Sequence, residues 1–348
     1  MTELVAAGAG AKTAMSVLAM LAVQGTLLAI VAAVLLRAAG RRPGLAAAVW
    51  LVVLAKFAVP LFPALPWSLS DLIAQWRHPE VGPLAYEAAA PIGPEPAVSF
   101  YPALGWLALA ALWAAGTLYV LGRAFAAHRA TVAAARVAAD APAHARALLA
   151  ELAAALRVRT PRLAVGAAEV GPHVVGVWRT TIVVPPALLE DHGLLRAALL
   201  HELAHVRRKD ALARALQIWA TAVFFWWPVV RLASRRLDAA REAACDAWAL
   251  EAAGVSRPAY ARLLVRMAAL RTAAAPSLAA PRALNARVAA VLGPPARARV
   301  GLVGKLAVLA WAAIALGGAR SAAARGEPEV CIYTPEMAEA LRQAHPEA

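Results

Sequence analysis

Four apolar runs, 15–36, 44–62, 103–121 and 300–318, constrain what this chain can fold into more than any other feature. Each has about the 20 residues that a helix needs to cross a hydrocarbon core of ~30 Å. In that medium every backbone N–H and C=O must be satisfied within the segment, so each run is predicted to be a transmembrane helix. The first has only Ser16, Gln24 and Thr26 as polar interruptions. It is too long for the apolar part of a cleaved leader and is expected to remain as an anchor. Lys56 lies well inside the second run and is expected to face protein. With 62% apolar residues and a mean hydropathy of +0.62, the 348 residues read as a polytopic membrane protein carrying one polar domain.

Charge between the runs predicts an orientation. Arg37, Arg41 and Arg42 follow the first run, Arg123, Arg129 and Arg136 follow the third, and Arg287, Arg297 and Arg299 precede the fourth. The 63–101 loop instead carries Asp71, Glu80, Glu87 and Glu95 against Arg77. Basic loops stay in the cytoplasm. The organisation expected is therefore a three-span region 1–121 with an extracellular loop 63–101, and a cytoplasmic domain 122–299. A fourth span 300–318 and an extracytoplasmic tail 319–348 complete it. The net charge of +14 is mostly Arg scattered among Ala, without aromatic interleaving, so no direct nucleic-acid binding is expected. Cys245 and Cys331 are too few for a disulfide framework or a Cys-rich metal knuckle.

Inside 122–299, residues 121–157 are Ala/Arg-rich and helical in pattern, with a break at Pro142. The β-branched runs 163–165, 174–178 and 182–184 predict a small antiparallel sheet or hairpin. Glu190-Asp191 then offers acidic and N-capping residues for a helix through 194–207. That helix contains His201-Glu202-Leu203-Ala204-His205, an HExxH. Positions i and i+4 share a helix face, so both imidazoles reach one metal ion, and Glu202 stands where it can act as general base on water. A catalytic zinc needs a third protein ligand and an open position. Glu242 and Asp246, four apart in Arg241-Glu242-Ala243-Ala244-Cys245-Asp246, suit that need. The Glu can ligate one zinc per chain, and the Asp can accept a hydrogen bond from a ligand histidine. Between the two motifs lies the apolar stretch 216–230 with Trp226, Trp227 and Pro228. A single crossing there would put Glu242 across the bilayer from His201. The stretch must dip in and return, lie at the interface, or be buried; a hairpin turning near Pro228 is the favoured form.

The order Pro172-His173-Val174-Val175-Gly176-Val177-Trp178, Ile182-Val183-Val184-Pro185, Leu200-His201-Glu202-Leu203-Ala204-His205 with Asp210, Trp227-Pro228 and Arg241–Asp246 resembles the BlaR/MecR-type membrane metallopeptidases. These are the peptidase part of beta-lactam sensor-transducers, and the resemblance covers roughly residues 15–318. It implies a mainly α integral membrane protein of the bacterial inner membrane. Four transmembrane helices would carry a cytoplasmic α+β gluzincin-like zinc metallopeptidase domain between spans three and four. It implies zinc on His201, His205 and Glu242, Glu202 as general base, and substrate pairing along the 174–184 strand. The implied substrates are the protease itself, with 281–299 the natural segment for self-cleavage, and a BlaI/MecI-type DNA-binding repressor. A homodimer is also implied. Two departures stand out. Trp227 replaces the family's usual Asn before the proline, and no Lys has Ser three residues before it: those positions are Ala9, Val53, Val206 and Leu302. The penicillin-binding sensor is therefore expected to be lacking. A CAAX-prenyl or HtpX-type processing or quality-control protease, and a non-catalytic transmembrane signalling scaffold, are the competing readings. His173 and Tyr260 are the candidates for stabilising an oxyanion. Asp210 matches a family position, with capping or a salt bridge as its other reading.

Overall fold

The computed structural model describes residues 2–40, 42–58, 100–168, 171–254, 256–272, 280–294 and 300–316. Residues 63–99 of the expected outer loop 63–101, the stretch 295–299, Cys331 and the tail lie outside these residues. Along the chain come α1 (Thr2–Ala38), α2 (Pro43–Ala58), α3 (Phe100–Val137), β1 (Ala139–Asp140) and α4 (Ala143–Ala155). The strands β2 (Arg162–Val165), β3 (His173–Val175) and β4 (Thr181–Val184) follow. Then come α5 (His192–Arg208), α6 (Asp210–Val223), α7 (Pro228–Ala253), α8 (Arg257–Thr272), α9 (Ala280–Leu292) and α10 (Leu302–Leu316).

The chain is mostly helical, and α1 and α3 are long and apolar enough to cross a membrane, with mean hydropathies of 2.4 and 1.7 in their most apolar windows. Helices α2 and α10 are apolar but shorter within the described residues. Helix α3 does not stop where its apolar run ends. Ala-rich sequence carries it on to Val137, and α4 begins only after Pro142, whose ring suits the start of a helix and not its interior. Helices α1 and α3 run in the same direction: Gly8 meets Ala103 near both starts, and both helices later meet the same α6–α7 turn. A Cβ on Gly25 would lie 2.2 Å from the Phe57 ring, so only glycine admits α2 at this depth. Lys56 is buried at 4% exposure on α2, turned toward protein.

The apolar stretch 216–230 forms the end of α6, a turn at 224–227 and the start of α7. Its tip is seated among the apolar helices. Phe224 packs edge-on against Phe57 at 5.1 Å, Trp227 Nε1 donates to Thr26 Oγ1 at 3.0 Å, and Trp113 Nε1 donates to the Val223 carbonyl at 2.9 Å. Gly116 leaves the space that Phe225 fills. Trp227 thus has its one polar atom satisfied inside an apolar cluster.

The sheet differs from the antiparallel expectation. Its order is β1-β2-β4-β3, and β2 pairs parallel with β4, while β1–β2 and β3–β4 are antiparallel. Ile182, Val183 and Val184 are all buried, which is the pattern of a central strand covered on both faces. Val183 and Val175 pack against Ala135 and Val132 at the end of α3; Ile182 and Val184 face the main core. A hairpin of β3 and β4 alone would leave the backbone groups along the other edge of β4 without a strand partner, and β2 pairs with that edge. The main core is organised around α5, whose Leu194, Leu195, Leu199, Leu200 and Leu203 are almost wholly buried against α4, the sheet, α7 and α8. Each such leucine contributes roughly 1.5–3 kcal/mol of burial. Helix α5 is therefore held on nearly all sides, a rigid support for the side chains it presents.

Candidate metal centre

Asp191 caps α5, its Oδ1 accepting from the Leu194 amide at 2.9 Å. Two turns further on the helix presents His201 and His205, with their Nε2 atoms 3.2 Å apart. Helix α7 lies across α5 and contributes Glu242: its Oε2 is 3.5 Å from His201 Nε2 and its Oε1 3.6 Å from His205 Nε2. A tetrahedral zinc with ligand bonds of 2.0–2.2 Å sets its ligand atoms about 3.3 Å apart. The three protein atoms already stand near that spacing, so the donor set fits zinc. Glu242 is 38% exposed, so the centre opens to solvent on its side.

Carboxylates stand behind both imidazoles. Asp246, one helical turn beyond Glu242, places Oδ1 3.0 Å from His201 Nδ1, close though oblique to the N–H direction. Asp210 Oδ2 lies 2.7 Å from His205 Nδ1. A proton on each Nδ1 leaves each Nε2 with its lone pair toward the shared point, which is how outer carboxylates orient metal ligands. Asp210 reaches His205 only because α5 is broken between them. Lys209 adopts φ 55°, ψ 40°, a left-handed conformation that costs a non-glycine residue about 1 kcal/mol or more. On an unbroken helix a residue five positions on would point well away from the histidine's face.

Each carboxylate is in turn met by arginine. Arg287 Nε and Nη2 reach Asp246 at 2.8 and 2.6 Å, and its Nη1 is 3.2 Å from Glu242 Oε2. Arg208 and Arg241 approach Asp210 at 3.5 and 3.6 Å. Cys245 Sγ lies 3.7 Å from Asp210 Oδ2; burial and the neighbouring carboxylates push its thiol pKa up, so it donates as S–H. Burial would lower the His201 pKa, but Asp246 and Glu242 outweigh it and hold the imidazolium up to about 10. Burial would raise the Glu242 and Asp246 carboxyls; His201 and Arg287 prevail and keep both well below the usual carboxylate range. The protein's own charges thus hold a proton on His201 that a metal has to displace.

Glu202 is 5% exposed and makes no hydrogen bond or ion pair with any described residue. The fold thus brings together His201, His205, Glu242 and Asp246. Asp210 is an ion-pair residue turned onto His205. Tyr260 is fully buried, its hydroxyl 3.3 Å from Asp246 Oδ1, so it does not face the open side. His173 sits on β3 with Nδ1 2.9 Å from the Gly171 carbonyl oxygen. Arg287, Arg241, Arg208 and Cys245 escape a reading by motif. One signal for Arg287 was available: it shares the face of Leu284 and Val291, which pack on the core, and a charge inside a buried stripe requires a partner.

A family model described as BlaR1 peptidase M56 matches residues 16–291, most of the chain. No curated protein matches it.

Proposed function

Because the chain belongs to the BlaR1 peptidase M56 family, we propose that it is a membrane zinc metalloendopeptidase in which His201, His205 and Glu242 hold the metal. The observation that carries this reading is the convergence of three ligand atoms within 4.8 Å of one another, each imidazole backed by its own carboxylate. When bound, zinc supplies a water of lowered pKa and polarises a peptide carbonyl. Glu202, with no protein partner among the described residues, takes the proton from the attacking water and returns it to the leaving amine. Asp246 and Asp210 keep the imidazoles in the tautomer that points Nε2 inward. The edge strand β3 has no strand paired on its outer side among the described residues, which supports binding of an extended substrate by strand addition.

The proposed setting is four spans, α1, α2, α3 and α10, with the domain 122–299 in the cytoplasm. The parallel run of α1 and α3 supports an odd number of crossings from one to the other. The α6–α7 turn lies level with Thr26 and with 113–116. At about 1.5 Å per helical residue, that is roughly 10–16 Å inward from Arg123 and Arg37. We read it as a re-entrant hairpin. Glu242 lies 14 residues along α7 from Pro228, or about 21 Å. The metal centre would therefore stand just outside the cytoplasmic membrane face. The substrates proposed are a cytoplasmic repressor and the protease's own 281–299 segment. Because 280–292 is helical and a peptidase cleaves extended chain, self-cleavage would require α9 to unwind first.

The test is to purify the full chain in detergent, measure bound zinc, and compare Glu202→Gln with wild type on self and repressor substrates. Zinc retained with cleavage lost is the expected result. Cleavage by both proteins at the same rate refutes the role given to Glu202.

A further inference from the structure

We infer that Arg287 is a positioning residue of the metal centre: its guanidinium fork sets the relative placement of both carboxylates of the Glu242–Asp246 pair. The inference rests on the proposed ligand set. One planar group grips both acids, Nε and Nη2 on the two oxygens of Asp246 at 2.8 and 2.6 Å and Nη1 on Glu242 Oε2 at 3.2 Å. That Glu242 oxygen is the one 3.5 Å from His201 Nε2, and the Asp246 oxygen met by Nη2 is the one beside His201 Nδ1. Arg287 therefore touches both of the carboxylate oxygens that face His201. The contact is largely withdrawn from water, with Asp246 at 3% and Arg287 at 23% side-chain exposure, unlike an exposed ion pair of little consequence. No other arginine or lysine among the described residues pairs with Asp246.

The placement of the arginine is itself built in. Helix α9 is seated through Leu284, Val288 and Val291 on the main core, and Arg257 at the start of α8 donates to the Gly293 carbonyl at the end of α9. The guanidinium thus reaches the centre from an element that holds none of the proposed ligands, a short way before α10. Metal geometry becomes dependent on the seating of α9.

The experiment must separate charge from geometry, and Arg287→Lys does so. Lysine keeps the positive charge but cannot make the fork, so the exchange is not conservative at a bidentate site. Cobalt(II) is the probe, added to full-length metal-stripped protein in detergent, because its visible spectrum reports ligand geometry independently of any peptidase activity. The expected result is cobalt binding weakened 10–100-fold, with an altered spectrum in the variant. A wild-type spectrum with affinity within about twofold overturns the proposal, since a merely structural cation would behave that way. If Arg287→Lys fails to fold, Arg287→Gln, whose amide is too short to span both acids, carries the same two outcomes. His205→Ala is measured alongside. If it abolishes cobalt binding while Arg287→Lys changes nothing, only the role of Arg287 fails. If it binds cobalt like wild type, the ligand reading itself fails.

Discussion

Asp210→Asn is the perturbation whose consequence is best worked from the structure. The side chain is 6% exposed, and its Oδ2 accepts from His205 Nδ1 at 2.7 Å, a short charge-assisted contact. Such a bond contributes roughly 1.5–3 kcal/mol, about twice a neutral one. Asparagine keeps a neutral acceptor of the same shape, so about half is lost, ~0.8–1.5 kcal/mol. At about 1.4 kcal/mol per factor of ten, zinc affinity should fall roughly tenfold. Losing a negative charge near the cation acts in the same direction. Asp210→Ala removes the acceptor as well, and the loss should approach 100-fold. Stability should fall too, because Arg208 Nε and Arg241 Nε are buried without hydrogen bonds and have Asp210 as a counter-charge at 3.5 and 3.6 Å. Breaking a fully buried pair costs 3–5 kcal/mol; with Arg208 at 26% and Arg241 at 12% exposure, about 2 kcal/mol is the scaled figure. The assay is competition for zinc against a chelator of known affinity on detergent-purified protein, with thermal unfolding of the stripped protein beside it. Zinc affinity within twofold of wild type in Asp210→Ala would refute the reasoning, because Asp210 would then not orient His205.

The same centre predicts a pH dependence. The His201 pKa is raised to about 10 by the protein's charges, so the stability from the imidazolium is fully present below pH 6.5 and lost as pH rises through about 10. Zinc has to displace that proton, so its affinity should rise about tenfold per pH unit between roughly 7 and 9. Calorimetry in buffers of different ionisation enthalpy should show about one proton released, and a flat profile would contradict the assignment. In the apolar half, Gly25→Ala should destabilise by about 1–3 kcal/mol although alanine is the better helix former, because its Cβ would overlap the buried Phe57 ring. Phe57→Leu should relieve part of that penalty; denaturation in detergent that is unchanged by Gly25→Ala would show that α1 and α2 do not meet there.

What could be read without coordinates was whatever is local or periodic. HExxH depends only on helical spacing, and so does the Glu242–Asp246 pair on α7. The Asp191 cap and the helix start after Pro142 are single-residue signals, and the apolar runs follow from hydropathy. Spacing thus determined which side chains share a helix face, and hydropathy which segments are apolar. The parallel partner of β4 was not legible, because alternation shows which faces a strand buries but not which strand lies beside it. Nor does hydropathy say what 216–230 packs against; Thr26, Phe57, Trp113 and Gly116, each far away in the chain, supply those contacts. Asp210 reads as a cap or surface ion-pair residue until the left-handed Lys209 turns it back onto His205. Arg287 reads as one of the basic residues that precede the fourth apolar run until α9 is laid against α7. The division has one physical cause. Ligand spacing along a helix is set by covalent geometry, whereas the charges that orient those ligands come from residues whose proximity exists only once the core has formed.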